Sequence, residues 1–187
     1  MFPLAFLRWG LPLLVLIAPL SLTAQSTNMY LDIPGIKGTS TTTGYENLIE
    51  IQDFSWNTET TVSDPSTGGP RDASRPSLCT IRLGKQVDIS SPYLFKSAVL
   101  GEVHLQIKLQ QVQLSQSGPS NVFVEYVLDN VIISLYDTGG VGTERGQEVI
   151  ALSPSRIEMT VNEIDPATGA VGKTHTAYYD FETGNGG

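Results

Sequence analysis

The chain has 187 residues, a length that suits one domain, and 19 acidic against 11 basic side chains leave a formal charge of −8. So acidic a surface repels phosphate backbones and argues against nucleic acid as a partner. With one cysteine, Cys79, no disulfide can form within the chain, while a hydrophobic fraction of 40% is enough for a real core.

The first residues read as a unit of their own. Arg8 is the only charged side chain before Asp32, and an apolar run, LPLLVLIAPL, fills positions 11–20. Ser21, Leu22, Thr23 and Ala24 then turn small and polar, the layout of a secretory signal cleaved after Ala24. This assigns residues 1–24 to a leader and 25–187 to the mature domain. An uncleaved anchor stays open as the competing reading, because residues 2–22 are nearly long enough to span a bilayer.

Beyond the leader, Met29, Leu31 and Ile33 alternate with Tyr30 and Asp32 in a first strand that stops at Pro34 and Gly35. A second strand, 47–56, points Ile49 and Ile51 one way and then slips phase so that Phe54 and Trp56 continue the face, as a β-bulge would make it do. Residues 57–77 carry Pro65, Gly68, Gly69, Pro70 and Pro76 and few apolar side chains. A structureless loop of that length in a compact domain is either disordered or an arm that needs a surface outside its own domain.

Cys79, Ile81 and Leu83 alternate with Thr80 and Arg82, which makes Cys79 a plain buried thiol. A helix follows, with Ser91 as N-cap, Pro92 at the first helical position and Gly101 as the stop. Leu94, Phe95, Ala98 and Val99 form its apolar stripe, expected to plug or cover the sheet. Val103, Leu105, Ile107 and Leu109 alternate in the next strand. The long apolar run 122–136 is interrupted at Asp129 and Asn130, where a bulge or a bend from one sheet into another is expected. Residues 138–146 are a glycine-rich hairpin loop, with the wrong spacing for a nucleotide cradle. Ile157, Met159 and Val161 alternate cleanly, the turn 165–170 reverses the chain into 174–181, and the tail 182–187 is expected to fray. About eight strands and one short helix with regular turns point to a mainly β fold, a single antiparallel barrel or two-sheet sandwich.

Chemistry is sparse. His104 and His175 sit on separate strands without a partner at metal-ligand spacing, and no nucleophile elbow is present. Asp180 with Glu182, and Glu158 with Glu163, read as solvated faces on an acidic surface. Trp56, Tyr178 and Tyr179 could form a sugar-stacking platform, against which core packing is the simpler use of Trp56. No enzyme activity, cofactor or metal is expected.

Several segments together resemble the Hcp family, the tube-forming proteins of bacterial type VI secretion. They are the opening Met29-Tyr30-Leu31-Asp32-Ile33-Pro34-Gly35, the run Ile49-Glu50-Ile51 leading to Phe54-Ser55-Trp56, and Ile81-Arg82-Leu83-Gly84-Lys85 followed by Ser91-Pro92-Tyr93-Leu94. Tyr126-Val127-Leu128-Asp129-Asn130 and Ile157-Glu158-Met159-Thr160 are similar to its later strands, so the resemblance runs in order through residues 28–183.

The resemblance implies a small barrel of two sheets with a short helix at its side. It also implies homohexameric rings stacked into a hollow tube, with spike, sheath and small effectors as partners. The arm 57–77 would then reach a neighbouring ring, with Val62, Asp64, Pro65, Pro70 and Arg71 as its contact residues. The leader departs from that pattern. If it is cleaved, the protein is secreted or periplasmic, with no stable membrane association; if the true start is near Met29, it is cytoplasmic before firing. The alternative to a ring is a monomeric secreted barrel that binds a ligand.

Overall fold

The computed structural model describes residues 27–63, 73–78, 80–114, 120–165 and 168–187. Its architecture follows from strands that change partners part-way along. β1 (Thr27–Asp32) lies antiparallel between β2 (Ile49–Ile51) and β7 (Val103–Gln113), with Leu31 opposite Ile49 on one side and Leu109 on the other. At Gln52 the chain bends, its N–H donating to the Gly84 carbonyl at 2.8 Å. It continues as β3 (Asp53–Ser55), paired with β6 (Ile81–Gln86). The expected phase slip is thus a transfer of one strand from β1 to β6.

β6 pairs with β9 (Gln147–Ser153), β9 with the second half of β8 (Asn121–Gly139), and β8 with β7, which closes a barrel. The first half of β8 pairs instead with β10 (Arg156–Ile164), which carries β11 (Val171–Asp180) and β12 (Asn185–Gly186) outward from the barrel. The switch falls between Asp129, opposite Arg156, and Ile132, opposite Ser153. Asn130 sits there at φ 50°, a left-handed conformation that asparagine tolerates better than other residues with a side chain. The interruption at Asp129 and Asn130 is this corner. Leu31, Ile49, Leu83, Ile107, Leu128 and Ile150 meet inside, fully removed from water.

Several details differ from the sequence-based expectation. Residues 57–77 are not structureless throughout: β4 (Thr58–Glu59) pairs with β5 (Ser77–Leu78), and a bridge joins Val62 to Ala73. The Ser74 N–H donates to the Thr61 carbonyl at 2.8 Å, so the segment leaves the barrel as a hairpin stem. The tail does not fray, because Tyr178 and Gly187 exchange backbone hydrogen bonds at 2.7 and 3.1 Å beside β12. In the helix α1 (Ser91–Leu100) the N-cap position falls on Ser90 rather than Ser91, with no capping bond from its side chain; Pro92 lies in the first turn, and Gly101 at φ 63° closes the helix through a bond to the Ser97 carbonyl.

The helix also turns a different face inward. At about 100° per residue, the buried positions Ser91, Leu94 and Ser97 share one side with half-buried Ala98, while Phe95 and Val99 lie outward. Small hydroxyl side chains bring the helix close to the barrel, and only Leu94 is both apolar and fully buried. Among the described residues no helix is long and apolar enough to cross a membrane. The leader 1–24 and Cys79 lie outside the described residues.

Candidate functional site

The helix is held by a buried charge cluster. Lys85 follows Ile81 and Leu83 on the inward face of β6 and is 0% exposed. Its Nζ donates to Glu148 Oε2 at 2.7 Å, to the Gln86 carbonyl at 2.7 Å and to Asp88 Oδ1 at 3.0 Å, with Ser91 Oγ at 3.3 Å. Tyr136 OH donates to the second Glu148 oxygen at 2.7 Å. Burial, then that bond and charge, push the tyrosine's pKa up to about 12. Asp88 in turn accepts the Ser90 N–H at 2.9 Å, and Ser91 Oγ accepts the Asp88 N–H at 3.0 Å. One lysine therefore joins β6, β9, β8 and the first turn of α1. Every buried side-chain polar atom among the described residues has a partner.

The helix's far end is fastened by Ser97, whose Oγ lies 2.7 Å from His104 Nε2. Burial lowers the His104 pKa against a smaller upward pull from Glu102. The sign is set by the unfolded chain, which takes up the proton first. The stability His104 contributes is fully present above the unfolded pKa of about 6.5 and is lost as pH falls from there through the lower folded value. His104→Gln is expected to flatten the fall in melting temperature between about pH 7 and 5; an unchanged slope would show that the imidazole is not the group responsible.

What the helix does not bury is equally apolar. Tyr93, Phe95, Val99 and Leu100 face solvent, and Val103 and Leu105 continue the apolar surface into β7, Leu105 at 81% exposure. Phe95 touches the barrel only edge-on, its ring 5.7 Å from that of Tyr136. Large exposed apolar patches on a charged protein mark interaction surfaces. The expected stripe thus divides: Leu94 serves the core, and Phe95 with Val99 form an outward ridge.

A second apolar surface lies where the arm leaves the barrel. Trp56, Thr58, Pro76, Ile157, Met159, Ala177, Tyr179 and Phe181 line a cavity of about 350 Å³ together with Tyr178. Trp56 sits edge-on to Tyr126 at 6.2 Å and Tyr179 to Phe181 at 5.0 Å. The structure therefore brings Trp56, Tyr178 and Tyr179 to one place, although consecutive strand residues face opposite ways. The Tyr178 ring carries the Arg156 guanidinium 4.6 Å from its centre, and Arg156 also bonds Asp129 at 2.9 Å and Glu158. Arg75 donates to the Thr183 carbonyl at 2.8 Å, tying the arm to the turn before β12.

Of the expected arm contacts, Val62 stands on the stem at 47% exposure, while Asp64, Pro65, Pro70 and Arg71 lie outside the described residues. Glu158 is ion-paired with Arg156, while Glu163 is exposed to solvent and hydrogen-bonded to exposed His175 at 2.9 Å. Asp180 is pulled below the usual carboxylate range chiefly by the Thr183 N–H. Among the described residues no cluster of His, Cys, Asp and Glu is placed to hold a metal. The lysine cluster escaped the sequence reading, yet strand parity carried the signal: Lys85 follows Ile81 and Leu83 at every second position, and Glu148 precedes Ile150 and Leu152 in the same way.

The family described as "Type VI secretion system effector, Hcp" matches residues 30–161. The chain is similar to a solved type six secretion system protein at 21% identity and TM-score 0.79, over 87% of this chain and 100% of that one. Hcp1 from Salmonella typhimurium is 22% identical at TM-score 0.67, over 86% of this chain and 98% of its own. Hcp2 from the same organism is 24% identical at TM-score 0.60, over 83% and 96%. No curated protein matches the chain. With the family covering the barrel from β1 into β10 and the same fold in these structures, the chain belongs to the Hcp family of type VI secretion.

Proposed function

We propose that the protein is a structural subunit that assembles with copies of itself into hexameric rings and stacks them into a tube, with effectors carried in the lumen. The observation that carries this reading is the outward apolar face of α1 and β7 on a chain of net charge −8. Monomers of like charge repel, so an apolar ridge left open to water is useful only if another chain covers it. The mechanism is mechanical: repeated non-covalent contacts close rings and stack them, and no bond is made or broken. The arm, through Val62, Asp64, Pro65, Pro70 and Arg71, reaches the neighbouring ring. Spike and sheath are the remaining partners.

The leader sets the place of assembly. Cleavage after Ala24 sends the mature chain to the periplasm or outside the cell, where it forms a ring apart from a cytoplasmic sheath. A start near Met29 returns it to the cytoplasm before firing. The second reading, a monomeric secreted barrel that binds a ligand, is favoured by the aromatic cavity at Trp56 and Tyr179. Light scattering on residues 25–187 separates the two. A mass of six subunits is expected, and a single-subunit mass across a wide concentration range would replace the ring with the monomeric binder.

A further inference from the structure

Among the described residues, two unpartnered apolar surfaces of opposite shape lie on this one chain. The ridge is convex: Val99 and Leu100 are 66% and 63% exposed on a helix that turns only Ser91, Leu94 and Ser97 fully inward. The cavity is concave and lined almost wholly by aromatic and aliphatic groups, and none of its lining residues comes from α1. The strand β8 joins the two regions. Phe95 touches Tyr136 near one end of β8, and Ile157 of the cavity pairs with Leu128 eight residues earlier. At about 3.3 Å per residue, that separates the outer face of the helix from the cavity by up to roughly 26 Å of strand. A subunit's ridge therefore leaves its own cavity empty.

Resting on the ring reading above, we infer that the helix ridge of one subunit docks in the Trp56–Tyr179 cavity of the next copy. Charge agrees with the shape. Lys96 lies at the centre of the ridge and, among the described residues, is ion-paired with exposed Glu102 alone, at 3.6 Å, a pairing of little strength. Near the cavity in sequence, exposed Glu59 and Glu182 directly follow the lining residues Thr58 and Phe181 and Arg75 directly precedes Pro76, while Arg156 over Tyr178 is matched by Asp129 and Glu158, so carboxylates outnumber cations there. A ridge on one copy thus brings a cation to an apolar slot flanked by carboxylates. Two different patches in contact make a heterologous interface, the kind that propagates head to tail and closes into a ring when its rotation permits. Ridge meeting ridge would be isologous and would stop at a dimer.

Paired surface variants test this. Val99→Glu alters the ridge and Ala177→Glu the cavity, both at exposed positions, with circular dichroism and melting temperature reporting the fold. Each variant alone is expected to fall from the assembled mass to a single subunit in light scattering. Mixed in equal amounts they are expected to give twice that mass and no more, since one intact ridge meets one intact cavity and both remaining surfaces carry glutamate. Variants that assemble as the wild type does overturn the contact while leaving the ring intact. A wild type that is itself a monomer overturns both. Variants that are monomeric but gain nothing on mixing overturn the heterologous arrangement.

A cysteine pair guards against misfolding of either variant. Val99→Cys with Ala177→Cys, in a Cys79→Ser background, is expected to give a ladder of covalent multimers on mild oxidation. Monomer alone on the gel would count against the contact.

Discussion

Lys85→Met is expected to destabilise the fold by about 3–5 kcal/mol, the cost of removing one partner from a buried ion pair. The substitution leaves a side chain of similar length but no cation, with Glu148 at 1% exposure and Asp88 largely covered on the same spot. Glu148 would still accept from Tyr136, but its other oxygen would face a methyl group where an ammonium stood at 2.7 Å. Ser91 Oγ and the Gln86 carbonyl lose a donor as well. Urea unfolding at fixed protein concentration reads the loss directly. The double variant Lys85→Met with Glu148→Gln is expected to cost less than the sum of the two single changes, because the uncompensated charge on Glu148 is gone and only that on Asp88 remains. A single-variant loss below about 1 kcal/mol would mean the cluster is open to water and acts as an ordinary surface pair.

Leu94→Ala comes next, at about 2–5 kcal/mol. Leu94 is 0% exposed and is the one fully buried apolar side chain of a ten-residue helix, so its loss opens a void between α1 and the barrel. A helix that short has little stability of its own. Weakening should therefore appear first as lost protection of the α1 amides in hydrogen exchange, then as a lower urea midpoint. Phe95→Ala supplies the contrast. Its ring is 54% exposed and meets Tyr136 only edge-on, so about 0.5–1.5 kcal/mol is expected. Equal losses at the two positions would contradict the assignment of Leu94 to the core and Phe95 to the outer ridge.

That contrast also marks where sequence stops being informative. Strand alternation in Met29–Leu31–Ile33 and Ile157–Met159–Val161 is legible because core-facing side chains recur with a period of two, although Tyr30, on the other face of β1, is also fully buried. The two corners were legible for the same reason. A slip of phase after Ile51, or a polar pair at Asp129 and Asn130 inside an apolar run, is what a strand shows when it changes partner. The extent of the helix was legible from Pro92 and Gly101, but its orientation was not. Apolar residues sit on nearly every side of it, and a periodic pattern does not distinguish a face covered by the chain's own barrel from one left for another chain. Here two serines share the fully buried inner face with Leu94 alone.

The arm's stem was hidden because Thr58 to Ser63 alternates no apolar residue, so backbone pairing alone records the strand. Backbone pairing also explains β12, where Asn185 and Gly186 carry no side-chain signal at all. Lys85 is legible in principle from strand parity, but a charged side chain is almost never fully buried unless it is paired, and sequence does not reveal the pairing. The cavity was half legible. Trp56, Tyr178 and Tyr179 stand out as aromatics, but nothing in the chain order announces that the arm's base, through Pro76 and Thr58, folds beside them.

Negative-stain images of residues 25–187, purified without crosslinker at micromolar concentration, test the central claim most directly. Ring-shaped particles with six-fold averages, single or stacked end to end, are the expected result. Uniform small particles the size of one barrel, unchanged as concentration rises, would contradict a self-assembling subunit and leave the aromatic cavity of a monomer as the place to look for function.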